Sequence, residues 1–247
     1  MAIANEERLT KRSHWDKYWE DLDLPAVISK KDGTPLLQVE MEILGKYLPR
    51  GPLSILEIGG APGQYLAYFH RQFGYDVSSL DYSPEGCKKT EENFKLLGID
   101  GKVYQEDLFG DLTALPRFDI VFSMGLAEHF EDLSAVVEKH LELLKPGGIL
   151  FIGMPNFRGI NKFFLKRLAP EQLSMHNLDS MEIKRWKHFE HKFNLEKIFK
   201  GYIGGFEPMT FMARENDTSH SIWYLTARIL NSLFHRRIRF FRKFNSM

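Results

Sequence analysis

Three acidic residues, Glu57, Asp81 and Asp107, each stand at or near the end of a short apolar run. Between the first two lies a turn of small residues, Gly59-Gly60-Ala61-Pro62-Gly63. Small residues let a chain reverse sharply and let a ligand approach the backbone. Glu57 can accept hydrogen bonds from a cationic or hydroxyl-bearing ligand. Asp81 follows Gly63 by 18 residues, a place where a carboxylate holds two ribose hydroxyls. Taken singly, each feature has a plainer reading: a sharp turn without a ligand, or an aspartate that caps a helix. Taken together, acid at three successive run ends disfavours a phosphate-rich dinucleotide. It favours a ligand carrying an ammonium and a sulfonium, because opposite charges attract in a partly desolvated cleft.

The elements that must position these residues follow from periodicity. SILEI (54–58), DVSSLDY (76–82), KVYQED (102–107), FDIVFSM (118–124) and GILFIGMP (148–155) read as buried strands. Helices are expected over 64–73, 84–97 and 133–144. The second of these is opened by Ser83 and Pro84 and closed by Gly98. Strands alternating with helices of this length predict an α/β fold, a doubly wound, mostly parallel sheet over about 52–155. Ligands of such sheets sit at the carboxyl ends of the strands. A sixth strand is expected over Asn194–Ile203, with MTFMA (209–213) a weak candidate for a seventh.

Composition narrows the function. Lys plus Arg equal Asp plus Glu at 33 each, so bulk charge argues against nucleic acid as a partner. One cysteine, Cys87, allows no internal disulfide. The polar start MAIANEERLTKR and the absence of a long apolar run predict a cytoplasmic protein. The nine histidines show no metal-ligand spacing with carboxylates, so no metal is expected.

The segments LEIGGAPGQY, VSSLDYSPEG, YQEDLF, FDIVFSMGLAEHFED and LLKPGGILFIGMPN resemble the class I S-adenosylmethionine (SAM)-dependent methyltransferases, in that family's order and spacing. The likeness covers about 55–157. It is nearest to the small-molecule and sugar methyltransferases, on the Gly125-Leu126-Ala127-Glu128-His129 motif after the fourth strand. The resemblance implies a Rossmann-like methyltransferase fold with SAM as cofactor. Glu57, Gly59, Gly60, Ala61 and Gly63 would lie by the methionine part. Asp81 would bind the ribose hydroxyls and Tyr82 would pack on the adenine. Asp107 would accept from the adenine amine, with Leu108 offering backbone. Met124 and Gly125 would line the cleft by the sulfonium. Ala61 replaces the usual glycine, a mild change. His129 is the candidate catalytic base for a hydroxyl acceptor; its other reading is a residue that ties its loop to the cleft.

The domain expectation is an N-terminal helical extension over 1–50, a SAM-binding domain over 51–213, and a basic C-terminal helix over 214–247. In residues 5–24, Trp15, Tyr18, Trp19 and Leu22 recur at helical spacing, as a lid over the cleft or a helix on the core edge. An insertion over 156–193 is the natural substrate cover, with Asn156, Arg158 and His176 as candidate substrate-binding residues. From 226 onward there are six Lys or Arg and no acid. Arg228, His235, Arg239 and Arg242 lie on one side, with Ile222, Leu225, Ile229, Leu233 and Phe240 largely opposite. This is either a peripheral membrane contact through 221–244, at the inner membrane surface, or a helix packed on the core. The expected function is methyl transfer to an oxygen of a small or lipid-linked acceptor, such as a sugar. The alternatives are an RNA methyltransferase, which shares the Ala-Pro-Gly turn, and a non-catalytic, membrane-associated SAM-binding protein.

Overall fold

A computed structural model describes residues 8–28, 35–204, 206 and 222–245. The chain condenses into two compact units, one built from residues 1–28 and 49–154, the other from 29–48 and 155–247.

The first unit is built on a five-stranded, all-parallel sheet of β1 (Ser54–Ile58), β2 (Asp76–Asp81), β3 (Lys102–Gln105), β4 (Phe118–Met124) and β5 (Leu144–Gly153). Their order is β3-β2-β1-β4-β5. From β1 the chain builds outward to β3, then returns to lay β4 on the other flank of β1. That reversal opens a crevice at the carboxyl ends of β1 and β4. Helices α3 (Gln64–Phe73), α4 (Pro84–Leu97) and α5 (Leu133–Glu142) connect the strands. Helix-covered parallel strands need no polar face, which is why Ile55, Leu56, Ile58, Ile120, Val121 and Phe122 are all buried. An aromatic cluster fills the interior: Phe122 stacks on Phe151 at 4.5 Å, and Phe69 meets Phe122 edge-on at 5.4 Å. Ser83 caps α4 by accepting from Gly86 N–H at 3.0 Å, and Gly98 ends it in the left-handed region at φ 66°. Helix α1 (Arg12–Glu20) carries Trp15, Tyr18 and Trp19; Leu22 lies beyond its end.

The second unit contains α2 (Pro35–Tyr47), α6 (Ile160–Leu168), α7 (Pro170–Ser174), α8 (Trp186–Lys192) and α9 (Ile222–Asn245). Phe157, Phe164, Leu165, Leu168, Met181, Phe189 and Phe206 are buried in it. The strand expected over Asn194–Ile203 does not form. Leu195, Ile198, Phe199 and Tyr202 do not alternate, and charged Glu196, Lys197 and Lys200 interrupt them. The segment is attached by side chains instead. Tyr202 Oη donates to Met181 O at 3.1 Å and accepts from Ile183 N–H at 3.0 Å, and Phe199 lies 5.5 Å from Tyr47. The 209–213 candidate lies outside the described residues.

One polar pair sits inside the first unit. His140, fully buried, donates from Nδ1 to Val136 O at 2.8 Å and accepts at Nε2 from Ser123 Oγ, 3.0 Å away. Burial pulls its pKa down to about 4. The unfolded chain therefore binds a proton near pH 6.5 that the folded chain refuses until about pH 4. Stability should be complete above pH 6.5 and fall as pH drops towards 4. Urea unfolding of His140→Gln across pH 4–7 should show a shallower pH dependence than the natural chain; identical slopes would remove His140 as the cause.

Candidate functional site

The crevice is a cavity of about 220 Å³ in the first unit. Its floor is the β1–α3 turn, with Glu57, Gly59, Gly60 and Ala61. Its walls are Asp81 and Tyr82 after β2, Asp107 and Leu108 after β3, and Met124, Gly125 and Leu126 after β4. Gly60 is small because a Cβ there would lie 2.7 Å from the Glu57 side chain. Gly63, which does not line the cavity, starts α3 at φ 79°, with Phe94 and Thr90 filling the space a side chain would need.

The acids differ in setting. Asp81 is buried, and burial raises its pKa to about 6. Backbone N–H groups of Ser83, Ala61 and Tyr82 hold that rise in check, while the charge of Asp16 adds to it. Asp81 thus braces the end of β2 against the glycine turn. Asp107 is half-exposed and accepts from Phe109 N–H at 2.9 Å and from Arg8 Nη2. Tyr82 is pushed up to about 12 by burial, against the pull of the Arg8 charge.

Residues 8–28 close the cavity. Arg8, Trp15, Tyr18 and Trp19 line it. The segment is tied down along its length. Arg8 bridges to Phe130, Leu9 N–H donates to His129 O at 2.9 Å, and Thr10 Oγ1 lies 2.8 Å from His129 Nδ1. Ser83 Oγ donates to Asp16 at 2.6 Å, and Lys89 Nζ donates to Leu22 O at 3.1 Å. Buried Asn93 exchanges hydrogen bonds with the Ala26 backbone (2.9 and 3.0 Å) and donates to Pro62 O at 2.9 Å, joining this segment to the glycine turn. Neither Arg8 nor Asn93 belongs to the motifs that mark the site in the sequence. Asn93 left a signal, a polar residue within the apolar face that Thr90 and Phe94 share on α4; Arg8 left none. His129 is buried with Trp15 edge-on at 4.9 Å, and it lies outside the residues lining the cavity.

The candidate substrate residues belong to the second unit. Asn156 Oδ1 accepts from Arg158 N–H at 3.1 Å, and the Arg158 guanidinium pairs with Glu182 at 3.3 Å. His176 is buried against Phe157, ring centres 4.7 Å apart, with Nδ1 donating to Gln172 O.

Residues 36–237 match the family model described as a methyltransferase domain, and the chain belongs to that family. It is 31% identical over 136 residues to the ubiquinone biosynthesis O-methyltransferase of Xylella fastidiosa, covering 54% of each chain. It is 28% identical over 124 residues to the protein of that name from Methylobacterium nodulans, covering 50% of this chain and 49% of that one. The chain thus spans about half the length of these curated relatives. Among solved structures, it is similar to the plantazolicin methyltransferase BpumL in complex with a pentazolic desmethylPZN analog and SAH, with TM-score 0.51 and 19% identity over 83% of this chain and 76% of that one. It is also similar to the YcgJ protein of Bacillus subtilis, with TM-score 0.51 and 17% identity over 63% of this chain and 67% of that one. These likenesses are of fold.

Glu128, next to His129, is 1% exposed, and its Oε2 meets no hydrogen-bond donor. Burial raises its pKa to about 8. Between pH 4.5 and 8 the unfolded chain ionises this carboxyl while the folded chain keeps it neutral, so this residue makes stability fall as pH rises. Glu128→Gln removes the titration. The stability of the variant relative to the natural chain should grow by up to roughly 1.4 kcal/mol per pH unit across that window, then level off. Unfolding titrations at pH 5, 6.5 and 8.5 measure it, and a gap that does not change with pH would count against the assignment.

Proposed function

We propose that this protein transfers a methyl group from S-adenosylmethionine to an oxygen of a small or lipid-linked acceptor. The observation that carries this reading is the set of Glu57, Asp81 and Asp107 around one cavity, at three adjacent strand ends, in a chain of the methyltransferase-domain family. The donor set fits the cofactor: acid for the hydroxyls and the amines, an aromatic ring at Tyr82 for the purine, and a small-residue turn for close backbone approach. The SAH in the plantazolicin methyltransferase structure supports the cofactor. The names of the curated relatives support oxygen as the acceptor atom and a small-molecule acceptor.

In this reading Asp81 holds the ribose hydroxyls, Asp107 and the Leu108 backbone meet the purine edge, and Tyr82 packs on its face. Glu57 and the glycine turn face the methionine portion, and Met124 and Gly125 line the side from which the methyl leaves. Bound SAM supplies an electrophilic methyl on a sulfonium. The protein contributes alignment and exclusion of water, with Trp15, Tyr18 and Trp19 over the cavity. Of the two roles open to His129, the Thr10 hydrogen bond and the edge-on Trp15 favour the tie that holds this segment. Asn156, Arg158 and His176 are proposed to meet the acceptor.

A peripheral membrane contact is proposed for α9. Ile222, Leu225, Ile229 and Leu233 are all exposed, from 49% to 73%, and recur along one stripe. Buried Ala227 lies on the far side of the helix, so the stripe is not the packed face. Exposed Arg228 on the same helix adds affinity for anionic lipid. Among the described residues no helix is long and apolar enough to cross a membrane.

Three measurements test these readings. With methyl-labelled SAM and a membrane-lipid extract, label should enter a solvent-extractable product; label in a nuclease-sensitive polymer, or none transferred, would overturn the acceptor reading. Truncation at residue 220 should abolish sedimentation with anionic vesicles. Cofactor affinity should report Asp81. Its carboxylate accepts hydroxyl protons and its neutral acid does not, so SAM binding should weaken as pH falls below about 6. Asp81→Asn should bind SAM at least tenfold more weakly at pH 7.5 and flatten that profile, measured by calorimetry.

A further inference from the structure

Arg8 stands where the cofactor reading needs room. Its guanidinium lies over the Tyr82 ring at 4.9 Å and beside Phe109 and Phe130, each at 5.7 Å. Nη2 donates to Asp107 Oδ1, and the side chain, 9% exposed, lines the cavity. A guanidinium is a flat, delocalised group with N–H donors along its edge, able to stack on an aromatic face while it pairs with a carboxylate. An aminopurine presents the same two features, a flat face and an exocyclic N–H donor. Tyr82 and Asp107, the two groups proposed above to receive the purine, are both engaged by Arg8.

The cavity also reflects this. Its volume of about 220 Å³ is below the roughly 300–1,000 Å³ usual for small-molecule sites. Arg8 Nε is buried with no hydrogen-bond acceptor, and the rest of the head group is held by the Asp107 ion pair and by Tyr82, through its ring and a side-chain hydrogen bond. The backbone around it is fastened to the loop after β4, through the Phe130 bridge and the two Leu9 and Thr10 contacts with His129.

We propose that Arg8 is a built-in competitor for the purine end of the cofactor site: the Arg8 side chain and the adenine of SAM take the same place on Tyr82 and Asp107, one at a time. The proposal rests on the cofactor reading above. Cofactor entry then requires the guanidinium to leave for solvent, and the departing cofactor is replaced by a group already attached to the chain. Selectivity follows as well, since only a flat ligand with a donor aimed at Asp107 recovers what Arg8 gives up. Because Arg8 and the lid residues Trp15 and Trp19 belong to one tethered segment, occupancy of the purine end is mechanically linked to the cover of the cavity.

The test is binding, read through tryptophan fluorescence in the cavity, with SAM and with adenosine as probes. Arg8→Ala should bind both at least threefold more tightly than the natural chain. Arg8→Lys, which keeps the charge but not the planar, multi-donor head group, should shift the same way by less. Lys11→Ala, which removes an exposed charge from the same segment, should bind as the natural chain does. In stopped flow, the observed rate for the natural chain should saturate with SAM concentration, because Arg8 must leave first; for Arg8→Ala it should rise linearly. Unchanged or weaker binding by Arg8→Ala would overturn the proposal, the weaker case meaning that Arg8 joins the bound cofactor. If neither chain binds SAM or adenosine, the cofactor reading falls and takes this proposal with it. Tighter binding without methyl transfer to any acceptor would uphold Arg8 and count against the proposed reaction alone.

Discussion

One buried carboxylate organises the first unit. Asp81 ends β2 inside the protein and accepts from the backbone of Ser83, Ala61 and Tyr82. A buried carboxylate is costly unless hydrogen-bonded, so these N–H groups must be where they are. Their positions fix the rest. Ser83 is the cap of α4, Ala61 is the middle of the glycine turn, and Tyr82 is the aromatic wall. The same contact that makes the acid tolerable in the interior therefore sets the distance between the two central strand ends.

The segment before the sheet is built into this arrangement. Asp16 reaches the Ser83 cap, Asn93 joins the Ala26 backbone to Pro62, and Thr10 meets His129. Each of these links ends on a group that already supports the cavity. Arg8 belongs to the same segment, and its partners Tyr82 and Asp107 are part of the cavity wall. The buried histidines His129 and His140 of the first unit make similar structural contacts. His140 locks Ser123 of β4 to α5, and His129 holds the N-terminal strap.

Most of the first unit was legible in the sequence because its signals are local. SILEI and FDIVFSM are short, largely apolar runs without strict alternation, as strands covered on both faces permit, and both form as read. Ser83, Pro84 and Gly98 state the limits of α4 through cap chemistry that depends on a few neighbouring atoms. The residues expected around the cofactor, Gly63 apart, line a single cavity, because strand ends in a parallel sheet lie side by side. The reading failed at 194–203, where clustered apolar residues imitate a strand but side chains such as Tyr202 and Phe199 do the anchoring.

What the sequence determined by itself was the sheet, its helices and the acids at the strand ends, since each follows from periodicity, capping or position in the α/β pattern. What only the tertiary structure decided were the pairings between residues far apart in the chain. That Arg8 lies on Tyr82, that His129 is bound to Thr10, that Asn93 joins two backbone segments, and that the apolar stripe of α9 faces outward all depend on how elements dock. Docking is set by shape and by the cost of leaving buried polar groups unpaired, and neither is written in the spacing of residues along one element.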